Sequence, residues 1–189
     1  GMWVEIGKAL GQGRTTGDKK HHAACPYREV AQVIAAVRSS NSQDIVKLAF
    51  EFTVLTAARS GESRGALWSE IDWDEKLWVI AGERMKAKKE HRVPLSKRCV
   101  EILKEAKELT GRAQLVFCHP GTEKPYSDAV FTSLLRKGLG LAHTMHGFRS
   151  SFRDWGGEKT VHARELLEVS LAHLTGDQTE SAYWRGDVI

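Results

Sequence analysis

The run from Gln43 to Ala58 constrains the fold more than any other part of this chain. Ile45, Val46, Leu48, Ala49, Phe52 and Leu55 place apolar groups on nearly every side of a helix. Such a helix is stable only when other elements wrap it, so the remaining sequence has to supply them. The run does not read as a membrane span. Lys47 and Glu51 interrupt it, and it falls short of the roughly 20 apolar residues a span requires.

The flanking sequence provides the partners. Val30, Val33, Ile34 and Val37 recur at helical spacing and predict a helix over 28–38. Ser39 to Ser42 breaks that pattern and offers an N-cap for the buried helix. A short helix is expected at 61–68. Residues 71–80 read as strand, turn and strand around Asp74-Glu75, and 91–95 as a third strand that Pro94 confines to an edge or a strand end. Ser96 is expected to cap a helix reaching to about Leu109, with Val100, Leu103 and Ala106 inward. Val116-Phe117 reads as a brief extended piece. Ser127 is expected to cap a helix that Gly138 stops, with Tyr126 packed beside the cap. Helices follow at 145–156, with Phe148, Phe152 and Trp155 aligned, then at 163–172 and 177–185. The expected class is α+β, mainly α: a helical domain with a small three-stranded antiparallel sheet. Residues 1–25 lack periodicity and read as a linker or tail, with Gly1 an expression scar. Residues 26–189 read as one domain.

Charge and cysteine usage narrow the function. The net charge of +4 permits a polyanionic partner, and Arg84, Lys86, Lys88, Lys89 and Arg92 concentrate positive charge in one short segment. Cys25, Cys99 and Cys118 stand far apart with no Cys-x-x-Cys, which points to reduced thiols in a cytoplasmic protein. Cys118-His119 has no second pair at zinc spacing, so neither a metal nor a cofactor is expected.

Six polar residues then stand out by their settings. They are Arg59 in Arg-Ser-Gly-Glu, Lys86 in Arg-Met-Lys, His146 and Arg149 in His-Gly-Phe-Arg, His173 in Leu-Ala-His, and Tyr183 in Ala-Tyr-Trp-Arg. His146 and Arg149 fall on one helical face. A guanidinium near a core needs a carboxylate to orient it, and Glu62 is close to Arg59 in sequence. Cationic donors with one phenolic oxygen suit attack on a phosphodiester, since neighbouring cations lower the cost of forming a phenolate. Gly61-Glu62-Ser63-Arg64-Gly65 also fits a hydrolase nucleophile elbow, but that pattern needs a preceding strand and a helix is expected there.

In this order the six residues resemble the tyrosine recombinase (phage integrase) family, and His91-Arg92-Val93-Pro94-Leu95-Ser96 resembles its P4-type branch. The resemblance implies the DNA breaking-rejoining enzyme fold. It also implies metal-free strand cleavage by Tyr183 through a 3′-phosphotyrosyl link, with release of a 5′-hydroxyl. Arg59 and Arg149 would clamp the phosphate, His146 would assist proton removal from Tyr183, His173 would donate to the phosphoryl group, and Lys86 would protonate the leaving oxygen. Lys88 and Lys89 rival Lys86 for that role. Implied partners are double-stranded DNA attachment sites, a homotetramer of the full-length protein on DNA, and DNA-bending accessory proteins, with no membrane. The implied location is cytoplasmic and nucleoid-associated. The chain ends six residues after Tyr183, and family members continue further and carry N-terminal DNA-binding domains, so an excised catalytic fragment is expected. A type IB topoisomerase-like relaxing enzyme, a DNA-binding fragment without catalysis, and a serine hydrolase using Ser63 are the alternatives.

Overall fold

The computed structural model describes residues 24–172. His173, Tyr183, the helix expected at 177–185 and nearly all of the expected linker lie outside the described residues.

The wrapped helix is α2, Asp44–Leu55, and Ile45, Val46, Leu48, Ala49, Phe50 and Phe52 are all buried on it. Phe50 meets Phe131 and Phe148 edge-on at centroid distances of 5.9 and 5.5 Å, while Phe52 packs on Trp78 and Phe117 at 5.3 Å. One helix therefore joins the sheet side to the helical side of the core. Each buried aromatic contributes roughly 1.5–3 kcal/mol of transfer free energy. Glu51, which breaks the apolar run, is also buried. It accepts from Arg38 and from Arg98 (Nε, 2.9 Å), so a charged residue closes the core edge instead of opening it.

α1, Val30–Arg38, buries Val33 and Val37 against α2. It begins two residues later than predicted, because a 3₁₀ turn, Tyr27–Glu29, forms first after Pro26. The serines of 39–42 do not cap α2. Ser40 Oγ instead donates to the Val37 carbonyl at 2.7 Å, and Gln43 occupies the cap position without a side-chain bond. α2 also stops short of Ala58. Thr56 Oγ1 bonds back to the Phe52 carbonyl at 2.7 Å, and Ala57 turns left-handed at φ 49°. Leu55, expected inward, is 42% exposed at that end. A short α3, Ser60–Arg64, follows.

The sheet is the predicted one. β1 (Ile71–Asp72), β2 (Leu77–Ile80) and β3 (His91–Pro94) pair antiparallel in the order β1-β2-β3, so Pro94 sits on an edge strand. Its register sets Trp78 opposite Val93 and Ile80 opposite His91. Asp72 Oδ1 accepts from the Asp74 and Glu75 amides and closes the turn.

Ser96 caps α4, Lys97–Thr110, accepting from Cys99 N at 3.2 Å, as expected. The piece after it pairs only as isolated bridges, with Leu115 opposite Leu67. The helix expected from Ser127 is a correction. α5 is only Val130–Ser133, its cap position is Ala129, and a π-helical turn, Leu134–Gly138, replaces the remainder. Tyr126 is used differently as well: its hydroxyl donates to Gln43 Oε1 at 2.6 Å and ties this region to the start of α2. α6, Met145–Lys159, and α7, Arg164–Ser170, complete the described fold. Phe148 is buried on α6, but Trp155 is 43% exposed, so the aligned aromatics are not all core.

Candidate active site

The break in α2 builds the first half of the site. Arg59 falls at the N-terminal cap position of α3, not at the end of the buried helix as predicted. Glu62 sits one turn later with its carboxylate turned back. Its Oε2 accepts from the Arg59 amide at 2.9 Å, and its Oε1 pairs with the Arg59 guanidinium at 2.7 Å. One carboxylate thus caps a helix and aims an arginine; the sequence led to the second contact and not to the first.

α6 builds the second half. Thr144 Oγ1 accepts from Gly147 N at 3.0 Å and starts the helix. His146 is exposed in the first turn, where the helix dipole favours anions. Arg149, one turn along the same helix, is buried and turned inward. Its guanidinium donates to the carbonyl of Ala57 and to that of Leu171 at 2.6 Å. Burial, and then the neighbouring Arg59, pull its pKa down to about 10, so it stays cationic at neutral pH.

The two halves meet at the end of α7. Arg149 holds the Leu171 carbonyl, and Arg59 Nη2 reaches the Ala172 carbonyl at 3.5 Å. Both acceptors belong to the negative end of a helix. The negative helix end therefore holds two cationic side chains side by side.

Lys86 lies exposed in the loop between β2 and β3, which Lys88 and Lys89 share. Among the described residues, no direct bond ties Lys86 to the arginine pair. The stem of its loop is fixed nevertheless. Arg84 pairs with the Glu70 carboxylate and donates through Nη2 to the Glu62 carbonyl at 2.8 Å, and Met85 is buried. A Cβ on Gly65 would lie 2.8 Å from Arg84 Nη2, so the absence of a side chain there lets the tether pass.

Two residues escaped the sequence reading. Arg84 is the tether, and its role depends on a through-space carbonyl that no spacing reveals. His91, noted in the sequence only as the start of the His91–Ser96 segment, is half-buried and feels Glu62, Arg149 and Arg59 together. Burial and the two arginines push its pKa down, opposed by Glu62 and by hydrogen bonding at the Ser170 backbone. Its position at the start of β3, just after the basic loop, was the available signal. Ser63, by contrast, is fully buried within α3 and presents no hydroxyl for a hydrolase. No helix among the described residues is long and apolar enough to cross a membrane.

Comparison with known proteins finds relatives along most of the chain. The integrase of Enterobacteria phage P4 is 28% identical over 185 residues, covering 89% of this chain and 42% of that protein. Prophage integrase IntA of Escherichia coli K12 is 30% identical over 190 residues, covering 98% of this chain and 44% of its own length. The chain thus spans less than half the length of these curated relatives. A lambda integrase tetramer bound to a Holliday junction superimposes with a TM-score of 0.65 at 19% identity, covering 96% of this chain and 55% of that one, which shows the shared fold. Residues 26–186 match the profile described as the Phage integrase family. With its two arginines converging from α3 and α6 beside a three-stranded sheet, the chain belongs to the phage integrase family.

Proposed function

We propose that this chain is the catalytic part of a site-specific DNA recombinase. It cleaves and rejoins DNA through a 3′-phosphotyrosyl intermediate without metal or cofactor. The observation that carries this reading is the convergence of Arg59 and Arg149 on adjacent carbonyls at the end of α7. Paired guanidiniums are geometrically suited to the two non-bridging oxygens of a phosphodiester. In the proposed reaction Tyr183 attacks phosphorus and the P–O5′ bond breaks. His146 assists removal of the phenolic proton, His173 donates to the phosphoryl oxygen, and Lys86 gives a proton to the departing 5′-oxygen. The bond energy is retained in the tyrosyl ester, so rejoining needs no nucleotide.

The partner proposed is double-stranded DNA carrying an attachment site. By likeness to the lambda integrase tetramer on a Holliday junction, the full-length protein would assemble as a tetramer on DNA. DNA-bending accessory proteins are further proposed partners. Residues 26–189 would form the catalytic domain behind a linker, in a cytoplasmic, nucleoid-associated protein. The test is covalent capture on a nicked attachment-site duplex. An SDS-stable adduct that disappears in Tyr183→Phe, with DNA binding retained, supports the reading. An undiminished adduct in that variant overturns it.

A further inference from the structure

We propose that Cys25, Glu29 and His143 form a binding site for a zinc-class divalent cation, separate from the phosphoryl-transfer site. Cys25 Sγ, a Glu29 carboxylate oxygen and a His143 ring nitrogen all lie within 4.8 Å of one another. They come from distant parts of the chain. Cys25 precedes the 3₁₀ turn, Glu29 ends it, and His143 stands just ahead of the Thr144 cap of α6. The turn is what folds Cys25 and Glu29 together.

The chemistry of the donors selects the ion. One sulfur, one imidazole nitrogen and one carboxylate oxygen suit zinc, which takes such ligands at about 2.0–2.3 Å. Calcium and magnesium require oxygen ligands and do not use a thiolate. A tetrahedral ion with those bonds would set its ligand atoms roughly 3.3–3.8 Å apart. The three donors therefore have to close by about an ångström, within the reach of rotamer changes at exposed Glu29 and half-exposed His143. The thiol donates only to the Pro26 carbonyl, at 3.5 Å, a weak S–H bond that a metal would replace. Three protein ligands leave a fourth position, which water fills on the exposed Glu29 side.

The site's position suggests its purpose. The Cys25 carbonyl already accepts from Ser151 on α6. A bound ion would pin the entry of the domain to the start of the helix that carries His146 and Arg149. This role is architectural and does not depend on the proposed DNA chemistry.

Cobalt(II) is the probe, because thiolate ligation gives a near-ultraviolet charge-transfer band and four-coordination an intense visible band. The metal-free chain is titrated with Co²⁺, then back-titrated with Zn²⁺. The expected result is a one-to-one complex with a thiolate band that zinc bleaches. Cys25→Ser should abolish the band, while Cys99→Ser and Cys118→Ser keep it. Glu29→Gln and His143→Ala retain the thiol, and each should weaken cobalt binding at least about tenfold, the scale on which even outer-sphere partners act. Glu29 is exposed, so Glu29→Gln keeps the test valid if Cys25→Ser fails to fold. Absence of a thiolate band in the parent chain, its survival in Cys25→Ser, or unchanged affinity in both Glu29→Gln and His143→Ala would overturn the proposal.

Discussion

Glu62 grips Arg59 at two points, the side-chain guanidinium at 2.7 Å and the backbone amide at 2.9 Å. The two contacts have different chemistry. The first needs a negative charge, while the second needs only an acceptor oxygen. Glu62→Gln is expected to keep most of the cap and lose the ion pair. Covalent DNA capture should then fall by about tenfold or more, the sensitivity of reaction to small misplacement, while urea unfolding shifts little. Glu62→Ala removes both contacts and should cost about 1–3 kcal/mol. Equal stability of the two variants would contradict the division.

Arg149 bridges the Ala57 and Leu171 carbonyls with a planar fork. Lysine keeps the charge but offers a single ammonium. Arg149→Lys is expected to lower the rate of strand cleavage by about 10²–10³, as for loss of one preorganised donor. It should also destabilise the fold by about 1–3 kcal/mol through a carbonyl left unbonded. Single-turnover cleavage and chemical denaturation measure the two effects separately, and full activity in this variant would remove Arg149 from the proposed phosphate clamp.

His91 gives the stability a pH dependence. Its pKa is lower in the folded chain than the ordinary value, because burial and the arginines Arg59 and Arg149 outweigh Glu62 and the Ser170 backbone. In the window between the folded value and the unfolded one of about 6.5, the unfolded chain binds more protons. The contribution is complete above that window and is lost as pH falls through it. Denaturation midpoints at a series of pH values should therefore drop on acidification, with a shallower slope for His91→Gln. Parallel slopes would show that His91 does not contribute.

Gly156 illustrates how packing reverses a propensity rule. In an ordinary helix interior, Gly→Ala stabilises by about 1 kcal/mol. Here a Cβ would lie 2.5 and 2.7 Å from the two terminal carbons of Leu167 on α7. Gly156→Ala is expected to destabilise by about 1–3 kcal/mol through overpacking. Adding Leu167→Ala opens the space again, so the double variant should lose less stability than the sum of the single ones, as a thermodynamic cycle would reveal.

Much of this architecture was legible in the residues. Helical periodicity located α1, α2, α4 and α6, and the aromatic and β-branched residues flanking Asp74-Glu75 gave the hairpin, because both signals are local. Ser96 was readable as a cap for the same reason. The end of α2 was not, since its apolar pattern runs on past the point where Ala57 turns left-handed. That error placed Arg59 at the wrong end of a helix. The π-helical turn at Leu134–Gly138 was equally hidden, because its apolar residues keep helical spacing while the backbone widens. Arg59, Glu62 and Arg149 were readable from motif and order, and they do come together. His91 and Arg84 were missed because their partners, Ser170 and Glu62, are met only through space.

Besides the Glu62 carboxylate on Arg59, main-chain oxygens of Ala57, Leu171 and Ala172 hold the two arginines. A main-chain oxygen survives every side-chain replacement, so mutation of the acceptor residues cannot delete these contacts and can only displace them. Ala57 and Ala172 both adopt φ 49°, a region that glycine enters without strain. Glycine at either position should leave the contacts in place, whereas a β-branched residue would bend the chain away. The registration of the clamp is thus carried by the course of the backbone, and sequence drift at these alanines is limited by permitted torsion angles more than by side-chain chemistry.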